Sequence, residues 1–212
     1  QILLAADKWG VATESYSLNF SHPVMTVDLT MASASMLRVA TGIGDRNVDL
    51  VVGGPPCQGF SIQRIGPDED FRNHLVLEFG RLVAEFAPRL FLMENVPGLL
   101  GKRGRELARA FEKMLRESGY FVEAAIMNAA EYGVPQYRRR VIYYGWRTEE
   151  LPFRFPVPTC SEENFVTVLD AIGDLPSPPE DRTPHPTDGL HRRTWLSPLN
   201  QRRIEIIPPG GG

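Results

Sequence analysis

The sequence predicts an α/β fold, a doubly wound and mostly parallel sheet with an antiparallel last strand. Three observations predict it. Short apolar runs alternate with segments of helical periodicity as far as Trp146, the runs end in acidic or glycine-rich turns, and the last two runs leave little room for a helix between them. Strand–helix alternation builds a sheet with helices on its faces, and the closing pair is then antiparallel. In such sheets the chemistry sits at the carboxyl ends of the strands.

The elements follow in order. Ile2–Ala6 reads as a strand, Ala12–Asn19 as a helix, and Val24–Leu29 as a strand ending in an acidic residue. Asp49–Val52 is a buried strand running into Gly53-Gly54-Pro55-Pro56, which neither helix nor strand tolerates. Leu75–Phe86 has apolar residues at helical spacing and is closed by Pro88; Leu90–Met93 is a strand ended by Glu94-Asn95. Gly104–Glu117 is a helix stopped by Ser118-Gly119, and Tyr120–Met127 and Arg140–Trp146 are the closing strands. Past Trp146 proline is dense, Leu169–Leu175 adds a helical turn, and everything from about Pro178 reads as loop. The expected division is a catalytic domain over 1–179 and a second region over 180–212. The run Pro208-Pro209-Gly210-Gly211-Gly212 is an unusual domain end, and the chain is expected to be a piece of a longer protein.

Composition excludes some classes. A hydrophobic content of 42% and a charged content of 23% are those of a globular protein. No apolar run has the length of a membrane span, and Gln1–Ala6 followed by Asp7-Lys8 lacks a signal-peptide layout. Cys57 and Cys160 form neither a ladder nor a CxxC pair, so a reducing compartment is expected, without disulfide or metal. The net charge of −3 does not advertise a nucleic-acid binder. The arginines nevertheless cluster at 138–140, 192–193 and 202–203. The guanidinium fork suits phosphates and base edges, although a solvated surface gives the same composition.

The strongest local signal is Gly53-Gly54-Pro55-Pro56-Cys57-Gln58-Gly59-Phe60-Ser61. Stiff prolines hold a cysteine at the carboxyl edge of a strand, and the flanking glycines let backbone approach a ligand. Cysteine is a strong nucleophile at neutral pH, and nearby positive charge favours its thiolate. A lone cysteine can also be core material, but this turn is poor core material.

Pro55-Pro56-Cys57-Gln58 with Phe60-Ser61 resembles the catalytic loop of cytosine C5-specific DNA methyltransferases of the bacterial type. Glu94-Asn95-Val96 resembles that family's acidic motif, and Gln136-Tyr137-Arg138-Arg139-Arg140 its Gln-x-Arg-x-Arg motif. The three blocks come in the family's order. Weaker similarity runs from about Ala6 to Leu175, and Leu196–Gly212 resembles the start of the target-recognition region. The resemblance implies a Rossmann-like, S-adenosylmethionine-dependent methyltransferase fold. It also implies methyl transfer from S-adenosylmethionine to C5 of cytosine in double-stranded DNA, in the bacterial cytoplasm, with a cognate restriction endonuclease encoded nearby.

The chemistry accounts for the residue types. Cytosine C5 is a poor nucleophile until a thiolate adds to C6. Negative charge then builds on the ring, and a carboxylic acid near N3 and an arginine near O2 would stabilise it. The resemblance implies Cys57 as nucleophile, Glu94 at N3 and the exocyclic amine, Arg140 at O2, and Arg138 in support of the Cys57 loop. As consecutive strand residues, Arg138 and Arg140 share a face and Arg139 takes the other. DNA contacts are implied for Gln58, Ser61, Arg64, Arg138 and Arg140, with the base flipped out of the duplex. The loop from Gln58 to about Arg72 is expected to act as a lid.

Cofactor contacts are implied for Asp7, Lys8, Asp28, Leu29, Pro56 and Leu75, the two aspartates serving the ribose hydroxyls and the adenine. Two departures from the family pattern stand out. Lys8 occupies the place of an aromatic, and the glycine-rich Phe-x-Gly-x-Gly block is absent. Three other readings remain open at this point: a tRNA-methylating relative, a non-catalytic regulator on the same fold, and a folate-dependent pyrimidine methylase with a cysteine after Pro-Pro.

Overall fold

The computed structural model describes residues 1–56, 74–147 and 154–208. The chain divides into two compact units, Gln1–Val166 and Thr167–Gly212. This division lies upstream of the 179/180 boundary expected from the texture of the sequence.

The first unit opens with strands Ala5–Asp7 (β1) and Val24–Thr26 (β2), which pair in parallel, joined by helix Gly10–Asn19 (α1). Thr13 of α1 is buried; its hydroxyl donates to the Gly10 carbonyl and lies 2.6 Å from the Thr26 hydroxyl of β2. β2 is shorter than expected because the chain turns at Asp28, whose Oδ1 accepts from both the amide and the hydroxyl of Thr30. Helix Ala34–Ala40 (α2) follows, unanticipated from the sequence, with the Ser33 hydroxyl accepting from the Met36 amide at its N-terminus.

The second sheet contains Leu50–Gly53 (β3), Leu90–Asn95 (β4), Phe121–Asn128 (β5) and Arg139–Trp146 (β6), in the order β3-β4-β6-β5. β3 and β4 are parallel, and β6 runs antiparallel to both β4 and β5, which is the expected sheet with its antiparallel last strand. Helix Leu75–Phe86 (α3) connects β3 to β4, and Arg105–Glu117 (α4) connects β4 to β5.

Period-2 burial along β4 sets up the site. Phe91, Met93 and Asn95 are buried while Leu92 and Glu94 are only half-buried, so Glu94 and Asn95 leave the strand end on opposite faces. Phe91 and Met93 join Val76, Val83, Phe111, Leu115, Val141 and Tyr143 in the main core. Each large side chain buried there stabilises the fold by about 1.5–3 kcal/mol. Two glycines permit close packing. Gly145 of β6 stands opposite Phe91, where a Cβ would run into the aromatic ring. At Gly80 a Cβ would come 3.1 Å from Phe111 and Met114 of α4, so the two helices meet at a bare backbone.

The second unit holds Val168–Ile172 (α5) and Pro198–Glu205 (α6). Thr167 and Asp170 form a reciprocal capping box on α5. α6 corrects the loop reading of the chain beyond Pro178: Pro198 occupies its first turn and Ser197 caps it.

Candidate active site

The end of β4 holds an acid with two bases around it. Arg140 Nε lies 2.8 Å from Glu94 Oε1, and Arg138 Nη2 lies 3.4 Å from the same oxygen. The side chains are 38% exposed for Glu94, 27% for Arg140 and 48% for Arg138, so the cluster is open to a ligand. Register explains how distant residues meet. Glu94 pairs with Ile142 and Asn95 with Val141 across β4 and β6, so Arg140, near the start of β6, and Arg138, just before it, lie beyond the end of β4. The turn before β6 is fixed by Asn128, whose Oδ1 accepts from the Arg138 amide, and by the Ala129 amide donating to the Arg138 carbonyl. A second donor of Arg140, Nη1, bonds the Arg139 carbonyl.

The stem of the cysteine turn lies against this cluster. Gly54 is so close that a Cβ on it would sit 3.6 Å from Glu94 Oε2. Beside it, the buried Asn95 side chain donates from Nδ2 to the Pro55 carbonyl at 3.0 Å and accepts the Val96 amide at 2.8 Å. Pro56 is exposed at the end of the stem. Cys57, Gln58, Ser61, Arg64 and the expected lid from Gln58 to Arg72 lie outside the described residues.

A second group forms at the carboxyl ends of β1 and β2. Asp7 and Asp28 are both exposed there, and the Val27 amide donates to the Asp7 carbonyl at 2.9 Å, tying the two strand ends together. The Asp28 carboxyl is held below its ordinary range, first by the Thr30 hydroxyl and amide, with a further contribution from the charge of Lys8. Leu29 is half-buried and packs on Ala32, Leu37 and Leu82. Leu75 opens α3 and is half-buried. The donor set suits a nucleoside, with carboxylates for hydroxyls or an amine beside an apolar edge.

Sequence reasoning did not single out four residues around these groups. Trp9, 64% exposed, follows Lys8 and donates its amide to Asp7 Oδ1 at 2.8 Å, so an aromatic stands one residue beyond the place expected for it. Asn95 was visible only as part of the Glu94-Asn95-Val96 block. Arg81 and Glu85 were legible as an i,i+4 pair on α3, though not their bonds to the segment after β2. Among the described residues no group of His, Cys, Asp and Glu could hold a metal ion, and no helix is long and apolar enough to cross a membrane.

The acid and the paired arginines thus stand at the carboxyl edge of an α/β sheet, beside the Gly54-Pro55-Pro56 segment, where such sheets place their ligand sites. The chain belongs to the C-5 cytosine-specific DNA methylase family, which it matches over residues 1–205. It is 42% identical over 172 residues to the Type II methyltransferase M1.HphI of Haemophilus parahaemolyticus, covering 77% of this chain and 44% of that protein. It is 43% identical over 143 residues to M.XorII of Xanthomonas oryzae, covering 66% and 32% respectively. A crystal structure from E. coli, described as a DNA modification methyltransferase encoded within a prophage, aligns with a TM-score of 0.69 at 28% identity. That alignment covers 83% of this chain and 49% of the other. The chain thus spans less than half the length of these relatives.

Proposed function

We propose that the protein transfers a methyl group from S-adenosylmethionine to C5 of cytosine in double-stranded DNA, through a covalent bond between Cys57 and C6 of a flipped base. The observation that carries this reading is the convergence of Arg138 and Arg140 on Glu94 beside the Gly54-Pro55-Pro56 stem. It brings an acid, two cations and the root of a nucleophile turn to one sheet edge. The Type II methyltransferase relatives support DNA as the substrate.

In this reading the Cys57 thiolate attacks C6 and forms the S–C6 bond, while the ring π electrons move toward N3 and O2. Glu94 shares a proton with N3 and accepts from the exocyclic amine; Arg140 donates to O2, and Arg138, beside the same Glu94 oxygen as Arg140, supports the Cys57 loop. These groups are fixed in advance, so they stabilise developing charge without reorganising. S-adenosylmethionine, when bound, supplies the electrophilic methyl group that the activated C5 takes. Loss of the C5 proton to a base then lets the S–C6 bond break, and Cys57 leaves as thiolate. Asp7 and Asp28 would hold the ribose and adenine, with Leu29, Pro56 and Leu75 beside them, and Trp9 offers the aromatic face that Lys8 does not. Gln58, Ser61 and Arg64 would meet the DNA around the extruded base.

Double-stranded DNA is the partner in this reading, in a bacterial cytoplasm, with a cognate restriction endonuclease encoded nearby and no contact with it required. The test is transfer of tritiated methyl from S-adenosylmethionine by the natural open reading frame carrying these residues, offered duplex DNA and tRNA separately. Label in DNA alone is expected. Label in tRNA alone would reassign the substrate, and none in either would sink the reading.

A further inference from the structure

We infer that Arg81 and Glu85 of α3 are positioning residues for the cofactor, acting through the segment 28–34 without touching the ligand. The inference rests on the reading of Asp28 and Leu29 as the adenosine edge.

That segment leaves β2 as a tight turn and, among the described residues, has no strand partner past Val27. Its carbonyls need donors from elsewhere, and α3 supplies them. Arg81 Nη2 donates to the Leu29 carbonyl and to the Ala32 carbonyl, each at 2.9 Å. Its other two nitrogens are held by carboxylates, Nε by Glu78 at 2.8 Å and Nη1 by Glu85 at 2.7 Å. The second oxygen of Glu85 accepts the Ala34 amide at 2.8 Å, the start of α2. A single ion pair therefore bonds the segment at three backbone points, residues 29, 32 and 34. Opposite charges hold the pair in register: Nη2 serves both carbonyls while the planar guanidinium keeps Nε on Glu78 and Nη1 on Glu85, an arrangement a flexible ammonium does not reproduce.

The chemistry gives this a consequence for binding. Asp28 is exposed and held within its own turn by Thr30, so its position depends on where the turn sits. Leu29 packs against the cluster of Ala32, Leu37 and Leu82, and Leu82 follows Arg81 on α3. The same helix begins at Leu75, another expected cofactor neighbour. α3 thus fixes the segment that carries Asp28 and Leu29, and loosening the clamp makes ligand binding bear the cost of ordering that segment.

The test uses the natural open reading frame, with Arg81→Gln, Arg81→Lys, and Glu78→Gln as control, since Glu78 bonds Arg81 but not the segment. Calorimetry reads affinity for S-adenosylmethionine, methylation kinetics separate KM from kcat, and deuterium uptake of residues 29–34 is read without cofactor. Arg81→Gln is expected to weaken cofactor binding by about tenfold or more, the scale of losing a charged hydrogen bond. It should raise deuterium uptake in the segment and leave kcat at saturating cofactor intact. Arg81→Lys should fall between it and the parent, and serves if Arg81→Gln does not fold; Glu78→Gln should bind as the parent does. A purely structural role would lower the melting temperature with cofactor affinity unchanged in Arg81→Gln and Arg81→Lys, and would overturn the inference alone. A parent protein with no affinity for the cofactor would overturn the adenosine-edge reading and the inference together.

Discussion

Asn95 Nδ2 donates to the carbonyl of Pro55 at 3.0 Å, and this bond ties the Gly54-Pro55-Pro56 segment, which leads to Cys57 in the sequence, to the strand end that carries Glu94. Asn95 is only 3% exposed, and its oxygen is already used by the Val96 amide. A buried carboxamide with both ends bonded fixes orientation as well as position. Asn95→Ala should therefore leave the Pro55 carbonyl and the Val96 amide without these partners. The expected loss of stability is about 1–3 kcal/mol. Chemical denaturation measures that loss, and methylation kinetics should show kcat reduced more than KM for DNA. Wild-type stability together with wild-type turnover would remove Asn95 from the site.

Glu94→Gln separates chemistry from folding. The Glu94 pairs are substantially exposed, and exposed ion pairs contribute only about 0–1 kcal/mol. The substitution should thus barely move a melting curve. Methyl transfer should fall by roughly two to four orders of magnitude, because the amide can donate toward N3 but cannot deliver and recover a proton. Normal turnover with an unchanged melting curve would make Glu94 a residue of the turn and nothing more.

The legible parts of this protein are those whose signal is local. Helix α3 could be read to its end residues, because amphipathic spacing and the following Pro88 define it without help from the rest of the chain. Strand β4 was visible as an apolar run, although its pairing continues through Glu94 and Asn95. α6 was lost because the proline-dense chain before it was read onward as loop, while Ser197-Pro198 is also a helix start. The least legible feature was long-range. Nothing in the order of residues says that Arg81 serves the carbonyls of Leu29 and Ala32, since that bond depends on how α3 packs against the turn after β2.

Tyr120 predicts an alkaline limit to stability. Its ring is 4% exposed and its hydroxyl donates to the Pro88 carbonyl at 2.7 Å. Burial pushes its pKa up from 10.0 to about 12, partly offset by the nearby charge of Arg147. The folded state therefore holds the phenol proton more tightly than the unfolded chain does. Stability from this group is complete below pH 10 and is lost progressively as pH rises from 10 toward 12. Tyr120→Phe should cost about 1 kcal/mol near neutrality through the lost hydrogen bond. It should also flatten the decline in melting temperature above pH 10. A variant with the same alkaline decline as the parent would place the responsible titration elsewhere, with Tyr143, also pushed up by burial and by Glu112, next to be tested.

Cys57 and Cys160 should behave oppositely toward a mechanism-based probe. Cys160 is half-buried in the proline-rich stretch after β6, where its amide bonds the Glu131 carbonyl at 3.0 Å. That contact uses backbone alone, so Cys160→Ser should retain it and retain methylation. Cys57 follows the Pro55-Pro56 stem anchored by Asn95. In duplex DNA carrying 5-fluorocytosine, thiolate addition to C6 and methylation at C5 can proceed. The fluorine cannot leave as a proton does, so elimination of the thiolate stalls with the S–C6 bond intact. The parent protein and Cys160→Ser should each give a denaturant-resistant protein–DNA band that depends on S-adenosylmethionine. Cys57→Ser should give none and should not methylate unmodified DNA. A band that survives in Cys57→Ser and disappears in Cys160→Ser would exchange the roles of the two cysteines.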